Sequence, residues 1–293
     1  MATFDASKLQ LPFMKYRKVA LGVSLAMIIG SLLLLSVKGV NFSVDFAGGV
    51  SMQVGFEQPV DVGSVRETLS RVGQGQATIQ ALDDQFVLIR YQDPSDTVRK
   101  DILSALEKQY GKASIQKIDT VGPVVGKELR KQAFIAVSLA IVGILVYMAF
   151  RFSFRFGMSA VLSLVHDSVI MLGAYSLTGR EISTSFIAAI LTVIGYSLND
   201  SIVVLDRIRE NWTQLRGKGI VPLVDNSINQ TLSRTINTSL TTLLPVLAMF
   251  FLGGEVISNL AFAFLIGIIV GTYSSIYISS AILVEWYLRK PAK

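Results

Sequence analysis

Long apolar runs, rather than alternating or amphipathic patterns, dominate this chain of 293 residues. A helix needs about 20 apolar residues to cross the roughly 30 Å hydrocarbon layer of a bilayer. Six runs are long enough, and we predict spans at residues 19–37, 133–150, 156–177, 182–205, 236–252 and 256–288. The first run follows basic residues, as in a signal sequence, but its apolar core exceeds the usual length of about 7–15 residues and no small-residue cleavage site follows. The pattern therefore predicts a polytopic α-helical membrane protein whose first span is an uncleaved anchor.

The segment 38–132, between the first two spans, has a different pattern. Alternating or β-rich stretches at 50–56, 77–82, 85–91 and 113–119 predict strands, and helical spacing predicts helices over 62–72 and after Asp93–Pro94. Asp83 and Asp84 mark a hairpin between the second and third strands. Two βαβ-like halves of this kind predict a small α+β, ferredoxin-like domain. Its charged residues are scattered as on a solvated face, so we expect a binding or gripping role.

The composition supports a membrane protein and disfavours enzymatic chemistry. Charged residues make up 16% of the chain, whereas soluble domains carry about 25%. The chain has no cysteine and a single histidine, His166, so disulfides and thiolate metal sites are excluded and a histidine metal site is disfavoured. No nucleophile–base pair or phosphate loop is recognisable. We expect no enzyme, no metal or other cofactor, and no nucleic-acid partner.

Lysine and arginine set the predicted orientation. On one side of the membrane there are fourteen basic residues: four in the N-terminal segment 1–18, two in the loop 151–155, five in the connection 206–235 and three in the tail 289–293. The short loops on the opposite side contain one, Arg180. Basic residues favour the cytoplasmic side. Both termini are therefore expected in the cytoplasm and the 38–132 domain outside it.

Asp200 is the leading candidate for chemistry within the membrane. It lies in "GYSLNDSIVVLDRIREN", two helical turns inside Arg207 or roughly 10 Å deeper, where a carboxylate costs about 2.5–3.5 kcal/mol on insertion scales. Tyr196 and Ser197 make its helix face locally polar, so this face should look into protein. The alternative interpretation is a charge that reaches the cytoplasmic interface.

Arg234 is the expected partner of Asp200. The two residues lie symmetrically about Gly217, so a helical hairpin that turns there returns them to similar depth. A polar stripe runs inward from Arg234 through Thr238, and an interfacial arginine is the alternative. Further candidates for a relay or for structural polar contacts are Tyr196, Ser197, Asn199, Thr238 and the neighbours His166 and Asp167. For His166 and Asp167, a proton relay and a polar pair joining helices stay equally open.

Four stretches resemble the SecF family, the smaller membrane subunits of SecD–SecF protein-export complexes. They are "VDFAGGV" at 44–50, "HD" in the third span, "YSLNDSIVVLDRIREN" in the fourth and "SRTINTSLTTL" entering the fifth. The first contains a motif of Asp45, Phe46, Gly48 and Gly49, whose glycines are expected to permit a tight bend after the first span.

The resemblance implies a function and a set of partners. SecF is similar to proton-driven RND transporters and pairs with SecD to give twelve spans in the bacterial inner membrane. The pair helps the translocon (SecY, SecE and SecG, with YajC alongside) to export unfolded preproteins with the proton-motive force. The essential aspartate and arginine of the family fall on Asp200 and Arg234, which are expected to pair when Asp200 is ionised and to separate when it is protonated. The coupling ion is H⁺ or Na⁺.

Two other functions compete with this one. Half of an RND-type small-molecule antiporter is disfavoured, because such chains are much longer and carry two large outer domains. A scaffold that merely stabilises a translocon would use Asp200 for packing and would tolerate asparagine there.

Overall fold

A computed structural model describes residues 10–215, 217 and 219–289. It divides into two compact units, one of Met1–Asn41 with Ala136–Lys293 and the other of Phe42–Ile135. In chain order the elements are a 3₁₀ turn Phe13–Tyr16, α1 Arg17–Val37, β1 Asn41–Phe42, α2 Val44–Ala47, β2 Gly49–Phe56, α3 Val62–Arg71, β3 Thr78–Ala81, β4 Phe86–Tyr91, α4 Asp96–Tyr110, β5 Ala113–Val121, α5 Pro123–Arg151, α6 Phe154–Thr178, β6 Glu181–Ile182, α7 Thr184–Leu215, α8 Ile220–Leu252, α9 Glu255–Tyr273, a π-helical segment Ser274–Ser279 and α10 Ser280–Arg289.

Within the described residues, six helices are long and apolar enough to cross a membrane. They are α1 with its preceding turn, α5, α6, α7, α8, and the continuous run from α9 through the π-helical segment to α10. The chain is therefore a mostly helical, multi-pass membrane protein. Most of the connection 206–235 is helical as well, because α7 continues to Leu215 and α8 begins at Ile220.

The helical unit is organised around α6 and α7. In α6 and α7, 61% and 50% of the residues in the most apolar stretch are buried within the chain. The corresponding shares are 6% for α5 and 11% for α8. The two central helices contact each other, and α9 packs against both. Several polar residues of α6 and α7, among them His166, Asp167 and Asp200, are therefore enclosed by protein, whereas α5 and α8 present most of their surface outside the chain.

Small residues set how closely the central helices approach. A Cβ added to Gly267 of α9 would lie 2.4 Å from a methyl carbon of Val193 on α7, and one added to Gly271 would lie 3.1 Å from the Cβ of Ser197. A Cβ on Gly173 of α6 would overlap Ser31 of α1. Glycine at these positions allows close helix packing, as expected in membrane proteins.

The Phe42–Ile135 unit contains the predicted sheet domain. Its four strands lie in the order β3-β4-β2-β5, and every neighbouring pair is antiparallel. The predicted strands and helices are confirmed, with one shift at the start of α4: the Asp93 carboxylate accepts a hydrogen bond from the Ser95 amide, and the helix begins at Asp96. The core lies between the sheet and the two helices and includes Met52, Leu69, Val87, Ile89, Ile102 and Leu106, all fully buried.

Candidate functional site

Asp200 is a buried carboxylate that bridges three helical elements. It lies on α7 and is 7% exposed. The hydroxyl of Thr235 on α8 donates to its Oδ1 at 3.1 Å, and the hydroxyl of Ser275 in the π-helical segment donates to its Oδ2 at 2.7 Å. Both donors are neutral. A buried carboxylate whose hydrogen bonds come from neutral hydroxyls is costly to ionise, and when it gains a proton one of these donors has to turn away or become an acceptor.

Among the described residues no salt bridge joins Asp200 and Arg234, and Arg234 is exposed. Arg234 is still near enough to act electrostatically on the carboxylate, so its expected role as the partner of Asp200 stays a prediction. The symmetry about Gly217 does return α8 to the depth of Asp200, but successive residues of a helix project about 100° apart. The residue of α8 that contacts the carboxylate directly is Thr235, which is 1% exposed.

The polar stripe of α8 lies on the same outward face as Arg234. Thr238 and Thr241 are exposed, and their hydroxyls bond to carbonyl oxygens of their own helix, Arg234 O and Asn237 O, each at 2.8 Å. Thr238 thus makes no contact with Asp200. The stripe presents polar atoms to whatever surrounds the helix.

Asp167 of α6 forms a second buried carboxylate centre with His166. Nδ1 of His166 lies 2.8 Å from Oδ1 of Asp167, and both residues are 2% exposed. The hydroxyls of Ser197 on α7 and Ser274 in the π-helical segment donate to Oδ2 of Asp167, at 2.5 and 2.7 Å. The pair therefore joins three elements, and its role as a relay stays a prediction.

Consecutive serines connect the two carboxylates. Ser274 bonds to Asp167 and Ser275 bonds to Asp200. Both lie in the π-helical segment, and such segments are frequent at functional sites. Sequence reasoning missed Ser274, Ser275 and Thr235. The serine pairs 274–275 and 279–280, in an otherwise apolar span, were the available signal.

The other candidates of the fourth span divide between the two faces of α7. Ser197 contacts Asp167 rather than Asp200. Tyr196 donates to the hydroxyl of Ser239 on α8 at 3.4 Å, and Ser239 lies 2.7 Å from the hydroxyl of Thr272 on α9. Asn199 is exposed and takes no part in the buried network.

The motif after the first span is placed in the sheet unit. Gly48 and Gly49 have φ angles of 77° and 112°, and a Cβ on Gly49 would lie 2.5 Å from the carbonyl oxygen of Tyr91. The tight bend predicted for these glycines is confirmed. Phe46 is buried, and the guanidinium of Arg130 on α5 donates to its carbonyl oxygen at 3.0 Å. Asp45 lies in the first turn of the short helix α2.

The fold and the two centres define a class of protein: a multi-pass helical membrane protein with carboxylates enclosed by its own helices. The chain belongs to the SecF branch of the SecD/SecF family of protein export membrane proteins. The model of the SecD/SecF C-terminal region matches residues 101–289, and that of the SecD/SecF GG motif matches residues 33–60, which include Gly48 and Gly49.

Individual relatives cover nearly the whole chain. Protein translocase subunit SecF of Desulfurispirillum indicum is 46% identical, with 95% of this chain and 92% of that protein covered. SecF of Vibrio alginolyticus is 42% identical, covering 95% and 90%. The crystal structure of SecDF from Thermus thermophilus, a translocon-associated membrane protein, matches with a TM-score of 0.90 and 43% identity. That match covers 97% of this chain but 39% of the SecDF chain, so this chain spans about two fifths of that relative.

Proposed function

We propose that this chain is the SecF-type subunit of a complex that promotes the export of unfolded polypeptides across the bacterial inner membrane, driven by the proton-motive force. The family is described as protein export membrane proteins, and its members from D. indicum and V. alginolyticus are named protein translocase subunits. Under this proposal the chain is a transport subunit rather than an enzyme. The proposed coupling ion is the proton, and the assay below separates it from sodium.

The observation that carries the proposal is the environment of Asp200. Its carboxylate is buried among helices and accepts hydrogen bonds from Thr235 and Ser275. Among the described residues no side chain forms a salt bridge with it, and Arg234 acts on it only through longer-range electrostatics. A purely structural polar contact in a membrane protein is met by a neutral side chain at lower cost. An ionisable group at such a position is favoured when its charge is used.

Protonation of Asp200 changes its hydrogen bonds in a defined way. The ionised carboxylate only accepts, whereas the carboxylic acid also donates one hydrogen. Gain of the proton therefore requires Thr235 or Ser275 to turn away or to become an acceptor. Because these hydroxyls belong to α8 and the π-helical segment, a proton at Asp200 biases the packing of both elements on α7. One charge moved through the membrane potential supplies about 2.3 kcal/mol per 100 mV, which is enough to bias two packing states.

We propose that Arg234 and the α8 stripe face a SecD-like subunit. Arg234 is exposed on the chain, and a charged side chain within a span is costly in lipid. The hydroxyls of Thr238 and Thr241 bond to carbonyl oxygens of their own helix, so the need for a partner rests on Arg234. In the T. thermophilus relative, named SecDF, the matching region is 36% of a longer chain, which is the expected arrangement if the remaining part supplies the SecD half. Arg234 would then act on the proton pathway from the interface with that half. Further proposed partners are SecY, SecE and SecG, with YajC, and the unfolded preprotein itself.

We also propose the orientation and the type of the sheet domain. Basic residues place both termini in the cytoplasm, with the sheet domain on the opposite side of the inner membrane. The βαββαβ order of elements and the strand order β3-β4-β2-β5 support a ferredoxin-like domain.

The decisive experiment measures gradient-dependent export with Asp200→Asn. Asparagine keeps the size and, like the protonated acid, both accepts and donates hydrogen bonds, but it carries no charge. The preprotein is translocated into inverted membrane vesicles at matched protein levels, with the proton gradient present or collapsed, and with sodium present or absent. We expect Asp200→Asn to assemble normally and to lose the gradient-dependent stimulation.

Asp206→Asn is the matched control, because Asp206 lies on the same helix and pairs with Arg151 and Arg209 near its end. It should keep the stimulation. Full stimulation with Asp200→Asn would instead favour the scaffold function. Stimulation that follows the sodium gradient alone would replace the proton by sodium.

A further inference from the structure

We propose that the His166–Asp167 pair is a second proton-binding site, coupled to Asp200 through the adjacent hydroxyls of Ser274 and Ser275. This inference deepens the proposed proton-driven function and rests on it. It assigns a role to two groups on α6 that the Asp200 site does not itself require.

The hydrogen bonds of His166 leave room for one additional proton. Nδ1 of His166 lies 2.8 Å from Oδ1 of Asp167, which is satisfied when Nδ1 carries the hydrogen and donates to the carboxylate. Nε2 is buried and has no hydrogen-bond partner among the described residues. A proton that binds at Nε2 converts the imidazole to imidazolium, keeps the Nδ1–H bond, and balances the buried charge of Asp167. No existing hydrogen bond has to break.

The surroundings of this pair contain few other charges. Tyr273 of α9 is a titratable neighbour, with its ring 6.2 Å from that of His166 and its hydroxyl donating to Ala20 O of α1 at 2.9 Å. Tyr277 of the π-helical segment packs on Tyr273. The other described charged groups on elements packed against α6 lie at helix ends or in other ion pairs. Arg17 and Lys18 are the first residues of α1, Glu285 of α10 pairs with Arg17, and Arg289 is the last residue of α10. On α7 the buried charged group is Asp200, and Asp206, Arg207, Arg209 and Glu210 follow it toward the end of the helix. Asp200 is thus the natural partner for coupling.

Each serine of the connecting pair has two alternative acceptors. Ser274 Oγ lies 2.7 Å from Asp167 Oδ2 and 3.1 Å from the carbonyl oxygen of Gly271. Ser275 Oγ lies 2.7 Å from Asp200 Oδ2 and 3.0 Å from the carbonyl oxygen of Thr272. A hydroxyl has one hydrogen to donate. A change of charge at either centre, on the His166–Asp167 pair or on Asp200, therefore shifts the balance between the bond of its serine to the acid and the bond to its own helix.

Coupling follows because the two serines are consecutive in one π-helical segment. Rotation of the segment that removes Ser274 from Asp167 also displaces Ser275 relative to Asp200. Ser197 supplies a second connection, since it donates to Asp167 from α7, one turn before Asp200. A proton at one centre thus changes the donors available to the other, which is the condition for coupled titration.

The single histidine of the chain allows a direct test. The full chain is labelled with ¹⁵N-histidine, purified with a histidine-free tag and placed in lipid nanodiscs, so that every imidazole signal comes from His166. The two ring-nitrogen shifts report protonation and tautomer as the pH is changed. We expect His166 to titrate, and its midpoint to move by about one pH unit or more in Asp200→Asn, the size that marks interacting sites.

Ser274→Ala and Ser275→Ala test the route of the coupling. Each should reduce the effect of Asp200→Asn on the midpoint of His166. Ser163→Ala is the matched control, because Ser163 is fully buried on α6 and, among the described residues, its hydroxyl bonds to Ala160 O of the same helix alone. It should leave the midpoint unchanged. None of these variants changes Asp167, so the test does not depend on tolerance of Asp167→Asn.

Two results would overturn the inference: His166 shifts that stay constant over the whole pH range in which the protein is folded, or a midpoint that is the same in wild type and Asp200→Asn. Neither bears on gradient-driven export, so loss of the second site leaves the proposed function standing. Conversely, a shifted midpoint together with full export by Asp200→Asn would keep the coupling and remove the proposed function.

Discussion

At the scale of single residues, the buried network assigns different tasks to neighbouring side chains. Thr235 donates to Asp200, whereas Arg234, one residue earlier, is exposed. A hydrogen bond to a charged group contributes about 1.5–3 kcal/mol. We predict that Thr235→Val, which keeps the shape and removes the hydroxyl, reduces gradient-dependent export roughly tenfold and alters its dependence on pH. Thr235→Ser should restore most of the activity. Export into inverted vesicles over a range of pH measures both effects.

Thr231→Val controls for loss of a buried hydroxyl. Thr231 lies one turn earlier on α8, is 5% exposed, and bonds only to the carbonyl oxygens of Ser227 and Ile228 in its own helix. Thr231→Val should leave the pH dependence of export unchanged. Equal loss from both variants would mean that Thr235 acts through helix packing and not through Asp200.

At the scale of elements, the position of the π-helical segment depends on the close approach of α9 to α7. A Cβ on Gly267 would lie 2.4 Å and 2.5 Å from the two methyl carbons of Val193, and a β-branched side chain has little freedom to move aside. We predict that Gly267→Ala lowers the free energy of unfolding by about 1–3 kcal/mol, the usual cost of overpacking. Thermal unfolding in detergent measures this change.

Val193→Ala removes both clashing methyl groups, so the double variant should recover part of the stability lost by Gly267→Ala. Gly143→Ala on α5 is the control, because a Cβ at Gly143 meets nothing within 4 Å. A double variant that is simply the sum of the single effects would contradict direct packing of Gly267 on Val193.

At the scale of the whole molecule, the outward stripe of α8 predicts how the chain assembles. Arg234 on this face favours a protein partner, because a charged side chain is costly in lipid, whereas exposed apolar residues such as Leu33 of α1, 60% exposed, pack against lipid without such a cost. We predict that a photo-crosslinking residue at Thr241 captures a co-expressed SecD-like subunit, and that the same residue at Leu33 captures it far less. Adducts are identified by mass after irradiation of intact membranes.

The assembly prediction also has a functional side. A lone chain purified in mild detergent should not support gradient-dependent export after reconstitution with the translocon. A lone chain that does so, or equal adducts from positions 33 and 241, would show that the stripe is not the interface with a SecD-like subunit.

The sequence by itself determined the six apolar helices and the elements of the sheet domain. These depend on local quantities: the length of an apolar run, the period of alternation, and residues such as Gly48 and Gly49 that permit a bend. It also singled out Asp200 and the His166–Asp167 pair, because a charged or titratable group within an apolar run is conspicuous whatever its partners are.

Only the tertiary structure decided which side chains meet. Depth in the membrane followed from symmetry about Gly217, but the choice of Thr235 over Arg234 depended on the rotation of α8 about its axis, which packing sets. The contacts of Ser274 with Asp167 and of Ser275 with Asp200 likewise depended on a π-helical segment. Its backbone hydrogen-bond pattern is stabilised by neighbouring helices, and no local periodicity in the chain encodes it. Spacing along the chain places a residue at a depth, and the packing of helices places it on a face.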